Sequence, residues 1–460
     1  MKKARKKSYQ SRRGAALIIS MIFVLIFSAL AVSMATMTGT NLQLAVNHHK
    51  VNYAFANAES GLEVTGYWLR DILIASSTAP SDFFTTMTYL VRDNLIANDI
   101  SNFTINDNGF IPAVALDSAT GQEFSGQIQM HPSNPNTIEV TVTGRCNEAT
   151  RKVKVNYNVI PYEHPIFDYG LATKGPVRFP NNPTIRGLNS ADEADIYIES
   201  QSDDLALLIG GNTNFDGDIY IGNANANVDL QGDVLIAGEQ GETAIENHVT
   251  IGSDPVDFPV PDIEHFLPYA TGDTIDSSTD ITDGMTLTNA TIAAGTNPCF
   301  EGNIRIEGVL FVQSPNKIVF NRNVDIRGMI IADGDVDNPE PGTNSMTFLG
   351  NFESGSLPDS SEFDAMRSET GSCLLAPGFS VSLEGNFSTL NGVMAVSGFH
   401  LTGNASAMIE GSIINYSDSP TIIDGNVTFN FDRSNCNEIP AGFDTHMTLE
   451  YNPMSYNSTP

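Results

Sequence analysis

The sequence predicts a mainly β protein carried on one long N-terminal helix, and three observations lead there. Residues 15–35 (AALIISMIFVLIFSALAVSMA) form an uncharged run without proline or glycine. Residues 137–144 and 151–160 alternate apolar and polar side chains, the period of half-buried strands. Beyond Pro165, short Gly-Asn or Gly-Asp units followed by an Ile-x-Ile-like pair recur along the chain.

At 460 residues the chain exceeds one ordinary domain, and 41% apolar residues suffice for a sizeable core. Its 23 basic against 54 acidic side chains, net −31, exclude a duplex-binding protein, because phosphate recognition needs a basic face. The charge is unevenly placed. Residues 1–14 carry seven bases and no acid, and the first acid is Glu59. Residues 15–35 are long enough to span the ~30 Å hydrocarbon layer, and the basic leader places their N-terminal end in the cytoplasm. The first proline is Pro80, and the alanines and leucines between Leu42 and Leu62 favour helix, so a single helix is expected over 15–75.

Residues 5–75 resemble a known family. A basic leader ending in Gly14, followed by Ala15-Ala16-Leu17-Ile18-Ile19 opening a long apolar helix, is similar to a type IV prepilin leader. The later phrase Ala58-Glu59-Ser60-Gly61-Leu62-Glu63 resembles minor pilins of the PilX type and, more distantly, K-type pseudopilins of type II secretion. The resemblance implies cleavage between Gly14 and Ala15 by a prepilin peptidase, insertion in a bacterial inner membrane, and assembly with other pilins at the cell surface. Major pilins carry a glutamate at the fifth mature position; here Ile19 stands there, which favours a minor or tip-located subunit.

Residues 76–162 are expected to form a small α+β module, with Cys146-Asn147 at a hairpin turn and residues 124–130 as a further strand. Residues 163–460 read as a parallel β-helix or other β-solenoid, an ordinary sandwich being the alternative. The Gly-Asn and Gly-Asp pairs supply positive φ at tight corners, and each following pair points inward. Residues 254–295 and 333–377 look like insertions that break the stack.

No Gly-x-Ser-x-Gly, His-Glu-x-x-His, Gly-Lys-Ser/Thr, Gly-x-Gly-x-x-Gly or Cys-x-x-Cys motif occurs, so an enzyme is not expected. Asp333, Asp335 and Asp337 alternate as calcium ligands do, yet Asn338 replaces the glycine of an EF-hand and Asn344 its bidentate glutamate. A solvated acidic loop is the default, an irregular calcium loop the alternative, and no other cofactor is implied. Cys146, Cys299, Cys373 and Cys436 suggest disulfides in an exported chain, without indicating which pair.

The expected function is that of a pilin-like structural subunit displaying an acidic solenoid for tip assembly, adhesion or recognition of a surface or glycan. Two alternatives use the same features: a membrane-tethered β-helix that binds or degrades polysaccharide, and a static surface anchor.

Overall fold

A computed structural model describes residues 13–201, 205–340, 342–402, 406–434 and 439–459. They divide into two compact units, one holding the residues up to Tyr162 together with those from His446, the other Glu163–Thr445.

The first unit opens with α1 (Arg13–Arg70), about 90 Å long at 1.5 Å per residue. It stops four residues before Ile74, where β1 (Ile74–Ala75) begins; Gly39, Gly61 and Gly66 do not interrupt it. Then come α2 (Phe83–Ala97), β2 (Phe110–Asp117), β3 (Gln122–His131), β4 (Asn134–Cys146) and β5 (Ala149–Pro161). The β4–β5 hairpin turns at Asn147, whose φ of 55° suits asparagine. The sheet order is β1-β6-β5-β4-β3-β2, with β6 the C-terminal strand His446–Thr459. The expectation that everything from 163 onward is solenoid is therefore corrected: Met447 to Thr459 pair antiparallel with β5. Residues 446–459 carry no Gly-Asn corner and are too long for a solenoid side, and the unpaired edge of β5 takes them.

The second unit is a stack of parallel coils. The first comprises Leu171–Thr173, Val177–Phe179 and Thr184–Gly187; the next, Ile196–Ile198, Leu205–Ile209 and Asn214–Phe215, lies on it strand for strand. In-register stacking places like residues above one another. The rings of Phe300, Phe320 and Phe348 lie 5.0 and 4.8 Å apart, nearly parallel, at the spacing of adjacent strands.

The order of coils is not the order of the sequence. The chain winds away from Leu171 as far as Val249–Ile251, leaves the stack, and restarts at Thr274–Ile275 at the opposite end. It then winds back until Ile413, Thr421 and Thr428 pair with Leu171, Val177 and Thr184. The first and last coils thus meet in mid-stack. Buried Asn415 closes this seam, donating to the hydroxyls of Thr173 at 3.0 Å and Thr421 at 2.8 Å.

The two expected insertions are shorter than their sequence suggests. Thr274–Ile275, Met285–Thr288 and Thr291–Ile292 belong to the stack, as do Ser345–Phe348, Phe352–Gly355 and Ser372–Ala376. Each such strand has only one to three inward side chains, too few to stand out among polar corner residues. The longest segments there outside the stacked strands are 252–273, 333–340 with 342–344, and 356–371, the first and last each with a 3-10 turn (Glu264–Tyr269 and Ser361–Met366).

Residues 252–273 cross the outer side of one solenoid face from end to end. Val256 N–H donates to Tyr197 Oη at 3.1 Å, Pro259 C=O accepts from Tyr416 Oη at 2.5 Å, and Gly272 N–H donates to Asn289 C=O at 2.7 Å. Phe266 is fully buried in a cluster with Val309, Phe311, Met329 and Ile331. That face is covered on both sides, which explains runs such as 309–312 (VLFV) and 393–396 (VMAV) that do not alternate.

Candidate functional site

The first functional element is the outer part of α1. Residues 16–49 are exposed all round, and the first charge after the leader is Lys50. Leu17 and Phe27 keep 70% and 66% of their surface open. An apolar surface of this size is not stable in water, and a helix hides its own backbone polar groups, so lipid or other apolar helices are its natural surroundings. Its hydroxyls are satisfied within the helix: Thr38 and Thr40 donate to Met34 C=O at 2.8 Å and Thr36 C=O at 3.0 Å. Gly14 and Ala15 lie in the helical backbone at its start; residues 1–12 of the leader fall outside the described residues. Ile19 is open and offers no carboxylate to a neighbour.

The second element is the phrase at 58–63, which the helix splits between two faces. Ala58, Gly61 and Leu62 face the sheet, whereas Ser60 and Glu63 are exposed and Glu59 is half-buried. Small residues are needed because α1 touches β4 backbone to backbone. A Cβ on Gly144 would lie 2.1 Å from Ala54 C=O, and one on Gly61 2.5 Å from the Phe124 ring. Asn57 Nδ2 donates to Arg145 C=O at 2.7 Å. Glu59 accepts a hydrogen bond from the Tyr456 hydroxyl of β6. The phrase is thus the docking face of α1 on its own sheet. Gly144, Arg145 and Tyr456 were not legible as its partners, since they become neighbours only through the sheet.

On the solenoid, acids and bases are arranged across coils. Arg305 Nε meets Glu307 at 2.9 Å, and Arg327 joins Asp325 at 2.7 Å and Glu353 at 3.4 Å. Arg305 and Arg327 thus stand among carboxylates of their own and adjacent coils. Asp218 Oδ1 accepts from His248 Nδ1 at 2.7 Å, and the Asp218 backbone N–H donates to Asp195 Oδ1 at 2.7 Å. Burial pushes the Asp195 carboxyl up to about 6, against the hydrogen bond from Asp218.

The three calcium candidates do not converge, and no group of three or more metal-ligating side chains occurs among the described residues. Asp333 accepts the backbone N–H of Ser314, while Asp335 accepts that of Asp337 at 2.9 Å and the Asn338 amide at 3.0 Å. These bonds hold the Asp335 carboxyl below its usual range. Asp335 thus caps its own loop, and Asp333 caps the turn at Ser314.

The expected disulfides do not form among Cys146, Cys299 and Cys373, which are free thiols; Cys436 lies outside the described residues. Cys146 belongs to the first unit, Cys373 points into the solenoid core, and Cys299 is exposed on a short strand, so nothing brings them together. Burial pushes the Cys373 thiol up to about 11.

Residues 13–63 match the PilX N-terminal family. None of the curated proteins matches the chain. Among solved structures, the competence-associated pilin ComZ from Thermus thermophilus aligns over 89% of this chain and 97% of its own at 10% identity. Its TM-score is 0.28, too loose a superposition to assign the fold. The family match and the exposed apolar helix coincide on α1, and residues 13–63 are similar to the PilX N-terminal domain.

Proposed function

We propose that this protein is a minor, pilin-like subunit of a type IV pilus or related pseudopilus rather than an enzyme. The observation that carries the reading is α1: 34 consecutive residues, 16–49, exposed and uncharged on a helix whose remainder is docked on its own sheet. Such a helix serves twice. It spans the inner membrane, basic leader inward, and after cleavage between Gly14 and Ala15 by a prepilin peptidase it packs among the helices of other pilins. Removing seven cations lets the helix leave the membrane.

Ile19 and the large solenoid support a sparse or tip position, because both suit a subunit that is not repeated along a tightly packed shaft. There the acidic solenoid would serve assembly, adhesion or recognition of a surface or glycan.

Mass spectrometry of the native amino terminus, in membrane and sheared-surface fractions, tests the reading. A chain beginning at Ala15 is expected, and Gly14→Phe is expected to accumulate uncleaved. A native chain still beginning at Met1, unchanged by Gly14→Phe, would identify a plain anchor instead.

A further inference from the structure

The first unit contains a cavity of about 250 Å³ between α1 and the β5–β6 edge of its sheet. Four tyrosines line it, Tyr67, Tyr157, Tyr451 and Tyr456, together with the carboxylates of Glu59 and Glu63. The helix supplies one wall as a single stripe, because residues 59, 63 and 67 recur every four positions. The sheet supplies the other wall: Tyr157 and Tyr451 are directly opposed across β5 and β6, with ring centroids 5.7 Å apart at 65°.

Two features set this cavity apart from an accidental gap. The first is a break in the register of β6: Asn452 pairs with Asn156 and Asn457 with Lys154, so residues 453–456 loop out. The loop is internally held. Ser455 Oγ donates to Asn452 C=O at 2.6 Å and accepts the Asn156 N–H at 2.8 Å, and Asn452 Oδ1 accepts the Met454 N–H at 3.1 Å. Its consequence is that Tyr456 turns back onto Glu59, to which its hydroxyl donates. Bulges that re-aim one side chain are concentrated beside binding sites. The second feature is Gly66, where a Cβ would stand 2.7 Å from the Tyr157 hydroxyl; the absent side chain leaves that hydroxyl room in the cavity.

Aromatic faces carry negative quadrupole charge, and rings arranged around a small space with carboxylates beside them bind cations. The volume is below that of drug-sized pockets and suits a small organic cation. We propose that this cavity is a binding site for an alkylammonium group, of the kind borne by a choline headgroup or a methylated lysine. Arg70 also lines the cavity, so the local charge is two carboxylates against one guanidinium, a net of −1. Its guanidinium opposes a bare cation.

The test uses the full chain in detergent. Trp68 is the only tryptophan and packs edge-on against Tyr67 with ring centroids 5.1 Å apart, so its fluorescence reports on the cavity through that lining ring. Tetramethylammonium chloride, titrated against sodium chloride at matched ionic strength, is expected to give a saturable change that sodium does not. Tyr451→Leu and Glu63→Gln, both at positions open to solvent, are expected to weaken it about tenfold each. Arg70→Gln removes a like charge and is expected to tighten it about threefold. Choline and Nε-trimethyl-lysine, titrated in parallel, distinguish the two sources. No saturation, an equal response to sodium or to a neutral methyl glycoside, or variants that melt like the parent yet bind tetramethylammonium equally well would overturn the proposal.

Discussion

Asp195 shows how one carboxyl is set by its coil. It precedes an inward strand, its Oδ1 accepts the backbone N–H of Asp218 one coil away, and burial raises its pKa from 3.8 to about 6. Between those values the folded chain holds a proton that the unfolded chain releases. Stability contributed here is therefore present at pH 4 and is lost as pH rises through about 6. Asp195→Asn keeps the acceptor and removes the titration. The variant is expected to melt above the parent at pH 7 and level with it at pH 4; thermal unfolding at both values checks this, and a constant difference would contradict it.

At the scale of elements, the docking of α1 on β4 depends on side chains that are missing. Gly144 has the backbone of Ala54 and Ala58 within 2.2 Å of where its Cβ would stand, and backbone cannot step aside. Gly144→Val is expected to destabilise the first unit by about 2–3 kcal/mol and to raise its protease sensitivity, while melting of the solenoid is unchanged. The same contact explains why the Ala-Glu-Ser-Gly-Leu-Glu phrase was legible as a motif but not as a docking face. The phrase records the small residues on one side, whereas Gly144, on the other, looks in sequence like any glycine near the end of a strand.

Over the whole molecule, the seam between the first and last solenoid coils is the long-range feature. The strand pairs at Leu171, Val177 and Thr184 close segments more than 240 residues apart, and the Asn415 amide ties Thr173 to Thr421 where both are buried. Asn415→Ala is expected to lose about 1–3 kcal/mol, because it removes the buried hydrogen bonds to Thr173 and Thr421 and leaves the Ser417 N–H without its acceptor. Hydrogen exchange should rise selectively in the strands at 171–187 and 413–431; a uniform rise, or none, would show that the seam is not where the stack is weakest.

The N-terminal helix was readable from the sequence because an uncharged run of its length has few other uses, and the β4–β5 hairpin because alternation survives one buried face. The repeats revealed parallel coils because each unit must bury an Ile-x-Ile pair against a copy of itself. The order of those coils was not readable, since any coil presents nearly the same edge to any other. The short strands at Thr274–Ile275 and Phe352–Gly355 looked like insertions, because so few inward residues carry no period. The return of His446–Thr459 to the first sheet, and with it the tyrosine-lined cavity, was decided only in three dimensions, where β5 has an open edge and α1 lies beside it.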